Sequence, residues 1–262
     1  MLPLTGSQFP DSLEALLTAL RSGFGGRGIS ARDVRANGEW PRLAELSIDL
    51  TDAQFSRATD LPKPATESSP GVSIENLTIF AAPFFFEKIP ARLDLRANKA
   101  ECGFARDATG APLIKLLRTE SGSISLEAQR ADLESTLKNF AGGFLAKQGV
   151  QVKSAQLELI DRGPRSLAFR AEITAKAFVM NARVAVTGQL ELDEQLNFRV
   201  RDLATSGDGM IANLASGFLR PRFAEIEKRT IPLAAWSFAG VTLHSARLSG
   251  GNSLRIDAQF GA

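Results

Sequence analysis

Four long segments of alternating apolar and polar residues follow one another in the second half of this chain: VQVKSAQLELI from Val150, SLAFRAEITAKAF from Ser166, VMNARVAVTGQLELD from Val179 and LNFRVRDL from Leu196. Successive side chains of an extended strand point to opposite faces, so this period of two specifies strands with one apolar and one solvated face. The connections, DRGPR at Asp161 to Arg165 and DEQ at Asp193 to Gln195, are too short for crossovers. They make the segments an antiparallel meander. Its strands exceed the usual ~5–6 residues, which implies a long, strongly twisted sheet.

The first half carries the same pattern in shorter pieces: Leu43 to Leu50, Val72 to Phe80, Ala91 to Ala97, Lys99 to Arg106 and Gly122 to Ala128. A loop rich in proline and small polar residues, LPKPATESSPG at Leu61 to Gly71, interrupts them. VTLHSARL, an SGGN turn at Ser249 to Asn252 and SLRIDAQF form a closing hairpin. Three stretches have helical spacing instead. Asp11 and Ser12 can cap a short helix striped by Leu13, Leu16, Leu17 and Leu20, with Glu14 completing a capping box from Asp11 and Gly23, Gly25 and Gly26 ending it. Ala131 to Gly149 is the longest, striped by Leu133, Leu137, Phe140, Phe144 and Leu145. Met210 to Arg229 carries Leu214, Phe218, Leu219, Phe223 and Ile226, with a kink or break expected at Pro221. Helix, strands, helix, hairpin from Ala131 loosely repeats the layout of the preceding part. We therefore expect a single elongated domain over 1–262, with a subdivision into 1–129 and 130–262 left open.

Chemistry is narrowed mainly by what is scarce. With one histidine, His244, one cysteine, Cys102, and no carboxylate cluster at ligand spacing, a metal site is not expected. His244 lies in an alternating strand and reads as a surface residue, and Cys102 reads as an ordinary strand cysteine. GFGGRG at Gly23 to Gly28 lacks the Lys-Ser/Thr and the strand context of a phosphate loop. No catalytic residue, metal or cofactor is assigned, and the chain is expected not to be an enzyme. Its 31 basic and 29 acidic residues lack the one-sided field of a nucleic-acid binder. The N-terminus does not read as a secretory signal, and no run reaches the ~20 apolar residues of a membrane span. Either the protein is cytoplasmic and peripheral to a membrane or a leader was removed, and the residues do not separate the two.

Phenylalanine, at 17 copies, supplies nearly all the aromatic burial. The helix stripes Leu133, Leu137, Phe140, Phe144, Leu145 and Leu214, Phe218, Leu219, Phe223 can line a lipid-sized groove or fill a core. Phe84, Phe85 and Phe86 are consecutive, and a strand cannot turn all three to one core. Together with Lys88 they are candidates for contact with a membrane or a partner.

Several stretches resemble the LmeA-like bacterial phospholipid-binding family, itself similar to the tubular lipid-binding (TULIP) architecture: GISARDVRANGEWPRLAELSIDLTDAQF, SISLEAQRADLESTLKNF, VKSAQLELIDRGPRSLAFRAEI and IPLAAWSFAGVTLHSARLSGGNSLRIDAQF. The similarity is one of layout over most of the chain, with no diagnostic residue. It implies an α+β fold in which a long, strongly curved antiparallel sheet wraps one or two long amphipathic helices. It also implies non-enzymatic handling of phospholipid or another long-chain lipid in a groove between sheet and helix. The reading beside it is a structural or protein-interaction module with a filled core, and a hydrolase ranks third.

Overall fold

A computed structural model describes residues 1–26, 28–55, 64–66, 69–86, 88–146, 150–177, 180–207, 217, 220–232 and 242–262. In chain order the elements are β1 (Leu2–Pro3), α1 (Leu13–Gly25), β2 (Asp33–Glu39), β3 (Arg42–Asp49), β4 (Gln54–Phe55), β5 (Ser69–Phe86), β6 (Ile89–Arg106), β7 (Pro112–Arg118) and β8 (Ser121–Gln129). Then follow α2 (Arg130–Leu145), β9 (Val150–Gly163), β10 (Ser166–Ala177), β11 (Met180–Leu192), β12 (Asn197–Gly207), helix α3 (220–227), β13 (Thr230–Pro232), β14 (Thr242–Ser249) and β15 (Ser253–Gly261). The chain divides into two compact units. The first comprises Met1–Leu126, Ala234–Ser245 and Asp257–Ala262, and the second Glu127–Leu233 and Ala246–Ile256.

The first unit is built on a sheet in the order β14-β15-β8-β6-β5-β3-β2, to which β4 adds beside β5 and β7 beside β6. Its register lines up the core in rows. Leu46 of β3 sits beside Leu77 of β5, which faces Ala97 of β6, and one step along stand Ile48, Ile79 and Leu95. Onto this apolar face packs α1, which buries Leu16, Ala19, Leu20, Gly23 and Phe24, the spacing of a single helical face. Leu16, Leu20, Leu46, Ile48 and Ile74 are essentially inaccessible, and each contributes ~1.5–3 kcal/mol by leaving water. Ser12 rather than Asp11 caps α1, its hydroxyl accepting the Ala15 N–H at 3.3 Å. From the other end of the sequence, Phe260 joins this core by laying its ring against Gly122.

A layered stack pins the segment that precedes α1. The Arg106 guanidinium lies 4.8 Å over the Phe9 ring, Phe9 stacks on Phe104 at 5.3 Å, and Phe104 lies 6.4 Å from Trp40. Arg106 also donates to the Ser7 carbonyl at 2.7 Å and the Gly110 carbonyl at 2.8 Å. Its charge is therefore held by fixed backbone dipoles as well as by the ring face.

The second unit is the meander, a five-stranded sheet in the order β13-β12-β11-β10-β9. Each of its pairings is antiparallel. The turn between β11 and β12 is organised by Asp193, whose carboxylate accepts from the N–H groups of Gln195 and Asn197 and from the Asn197 side-chain amide. Those hydrogen bonds from Asn197, followed by the charge of Arg199, hold the Asp193 carboxyl below the usual carboxylate range.

The expected α+β fold, a TULIP-like curved sheet wrapped around one or two long helices, is overturned. The chain is mostly strand, 63% against 17% helix, arranged in two sheets with short helices. The physical reason is visible on α2. Leu133 and Leu137 are only half-buried and Phe140 is 73% exposed, so no sheet encloses this stripe. The apolar face of the first unit closes on α1 instead. Nor does Gly23 end that helix. It lies inside it, where β1 crosses so closely that a Cβ would stand 2.3 Å from the Pro3 carbonyl oxygen.

Because that contact is with backbone, Gly23→Ala should lower stability by ~3 kcal/mol or more. Gly25→Ala, where a Cβ meets nothing within 4 Å, should be neutral or gain up to ~1 kcal/mol from helix propensity. Urea denaturation of the two variants beside the parent checks the contrast.

Candidate functional site

One face of the five-stranded sheet is apolar along its whole width. Leu159 faces Phe169, which faces Gly188; Leu157, Ala171 and Val186 form the next row, and Leu167 lies opposite Leu190, beside Val200. The other face is charged, with ion pairs from Arg170 to Glu172 at 3.3 Å and from Arg201 to Glu191 at 3.1 Å. These pairs are solvent-exposed and add little stability. Their value here is to show which face meets water.

Two glycines shape the apolar face. At Gly188 a Cβ would lie 2.8 Å from both the Phe169 ring and a Leu203 methyl, so the missing side chain lets those two groups close over β11. At Gly250 a Cβ would stand 2.6 Å from a Leu167 methyl and 3.0 Å from the Leu159 Cβ, so the β14–β15 turn seats directly on these leucines. That turn is fixed by Gly250 N–H donating to Asp161 at 2.6 Å and Arg130 N–H donating to the Asn252 carbonyl at 2.9 Å. Leu159 and Leu167 are accordingly buried. Away from the turn burial is uneven: Ala171, Ala175, Ala182, Val184 and Leu192 of this face are buried. Val152, Leu157, Phe169, Ile173, Val186, Leu190, Phe198, Val200 and Leu203 are all half-buried.

The groove residues expected from the sequence are scattered by comparison. Leu133 and Leu137 are half-buried on α2, which runs beside β9, and Phe140 projects into solvent with Lys138 exposed nearby. Phe223 is buried on α3. Leu214, Phe218 and Leu219, and the side chains of Phe144 and Leu145, lie outside the described residues. In the first unit, Phe84 is buried and meets Phe55 edge-on at 5.8 Å, Phe85 is half-buried, and Phe86 is 43% exposed. Exposed Lys88 adopts a left-handed backbone with φ 71°. The triplet ends β5, where Phe85 and Phe86 pair in parallel with β4 and Phe86 is left partly in water. The half-buried ladder of β9 to β12 did not figure among the expected site residues, although its alternation was the signal that could have found it.

Two cavities are bordered by described residues of the first unit. Leu77, Ile79, Leu95, Cys102, Ile114, Leu116 and Phe260 line an apolar space of about 20 Å3, far below the ~300 Å3 of a small-molecule site. A larger space of about 590 Å3, bordered by Thr5–Ser12 and the start of α1, is an open cleft lined by polar and apolar groups in similar measure. Among the described residues, His244 and Cys102 are held apart from any paired nucleophile or base that the sequence singled out. The His244 Nε2 lies 2.7 Å from the Gly261 carbonyl, and Cys102 is buried. No group of three or more His, Cys, Asp or Glu suited to a metal ion occurs among the described residues, and none of their helices is long and apolar enough to cross a membrane.

Comparisons with protein-family models, with characterised proteins and with solved structures return no match. Nothing in them identifies the family that the sequence resembles.

Burial pushes the Cys102 thiol up to about 12. The folded state thus keeps the thiol protonated where the unfolded state ionises, so this group's contribution to stability is intact below about pH 9 and is lost progressively toward pH 12. Native protein at pH 8 should react with a thiol reagent far more slowly than protein in 6 M urea, by ~100-fold or more. Absorbance from released thionitrobenzoate measures both rates.

Proposed function

We propose that the chain is a non-enzymatic binding protein for a lipid or another long-chain apolar molecule, held along the apolar face of the β9–β12 sheet beside α2. The observation that carries this reading is the asymmetry of that sheet. One face is charged and solvated, while the other presents a ladder of aliphatic and aromatic side chains whose larger members Leu157, Phe169, Val186, Leu190 and Val200 stay half-buried between buried Ala171, Val184 and Leu192. An extended acyl chain can replace water along such a ladder at about 25 cal/mol per Å2 of apolar surface, without needing a polar anchor at each step. Gly188 supports this by setting Phe169 and Leu203 close together, giving a smooth floor. Exposed Phe140 with neighbouring Lys138 suits peripheral contact with a membrane, where an aromatic ring settles among head groups and a lysine meets phosphate.

Native mass spectrometry and solvent extraction of purified protein should reveal a co-purifying or loadable long-chain ligand. Phe169→Ser should weaken binding of a fluorescent fatty acid by ~10-fold or more, because the substitution removes most of an aromatic contact worth ~1.5–3 kcal/mol. Phe140→Ser should leave binding in solution unchanged and reduce only vesicle association. A protein that loads no lipid, yet loses a protein partner on replacement of Phe86 or Phe140, would instead be an interaction module with a filled core.

A further inference from the structure

We propose that Glu134 and Glu227 are edge guards that keep the five-stranded sheet from pairing with a second copy of this chain. Among the described residues no strand pairs with the outer side of β9, a strand of 14 residues. At the opposite end β13 pairs only with Asn197–Arg199, so β12 from Val200 to Gly207 has no described strand on its outer side. Edges of this length present rows of backbone donors and acceptors that template association with another strand.

Each edge is met by a carboxylate from a helix. Glu134 of α2 accepts the Leu157 N–H at 2.8 Å, at the middle of β9. Glu227 of α3 accepts the Leu203 N–H at 2.7 Å, within the part of β12 that has no described strand beside it. Both are charge-assisted bonds to an edge amide, made by side chains 23 and 24 residues away in sequence. A strand seeking to add at either edge must displace a charged acceptor and then leave it beside its own carbonyl groups. That costs more than pairing with an empty edge.

The occupant excluded is a second copy because the edge is self-complementary. A two-fold axis normal to the sheet pairs two β9 strands antiparallel and leaves both apolar faces on the same side, extending the ladder that holds Leu157 and Leu159. The inference is independent of the ligand reading.

The test is sedimentation velocity of the full chain over a wide concentration range for the parent, Glu134→Ala, Glu227→Ala, the double variant, and the double Gln variant, which keeps an acceptor oxygen at each site. The expected result is concentration-dependent self-association of the double Ala variant at least ~10-fold stronger than that of the parent or the Gln variant. It should be accompanied by new amide protection in 150–163 or 200–207. A folded double Ala variant that matches the parent, or that associates without protecting these segments, overturns the proposal. Should the Ala variants fail to fold, amide exchange of the parent decides instead. Leu157 and Leu203 must exchange at least ~10-fold more slowly than neighbouring amides on the same outer edges, and equal exchange overturns the proposal.

Discussion

An antiparallel strand that alternates apolar and polar residues presents one face that water disfavours, and most of what this chain does follows from how each such face is covered. The first unit covers its face almost completely. Helix α1 lays Leu16, Leu20 and Phe24 against rows drawn from β3, β5 and β6, and the remaining apolar space of about 20 Å3 would barely admit one water molecule. The second unit seats a hairpin turn on one end of its face, and beyond it leaves larger side chains such as Phe169, Ile173 and Leu190 half-buried.

Much of this layout was legible in the residues, because period-two alternation is a strong signal over segments this long. The meander from Val150 to Leu203 and the helix that follows Ser12 could be read directly. What covers a stripe could not. Leu133, Leu137 and Phe140 show only that one side of α2 is apolar, and a helix with that pattern can be enclosed by a sheet or can lean along a strand edge with a phenylalanine in water. Gly23 was misread for a related reason. Glycine near a helix end usually signals a stop, yet here it permits the backbone of β1 to cross, a contact with residues distant along the helix axis and invisible to local patterning.

The candidate site was less legible than the fold. Expected groove positions were assigned to helices, where aromatic residues stand out in a stripe. The residues that line the accessible face sit on β9 to β12, each an unremarkable apolar member of an alternating strand. Their significance comes from register: Phe169 matters because Gly188 lies opposite, and Leu159 because Gly250 rests on it. Long-range pairing of this kind cannot be recovered from one segment at a time.

The path of the C-terminal hairpin also bears on how the protein is made. Phe260, which completes the core of the first unit against Gly122, is translated only after the entire second unit has emerged. Folding in step with synthesis therefore cannot finish the units in the order in which they are encoded. The meander can assemble while the earlier unit still waits for a ring that arrives more than a hundred residues later. The order of the sequence and the order in which the cores can close are thus different.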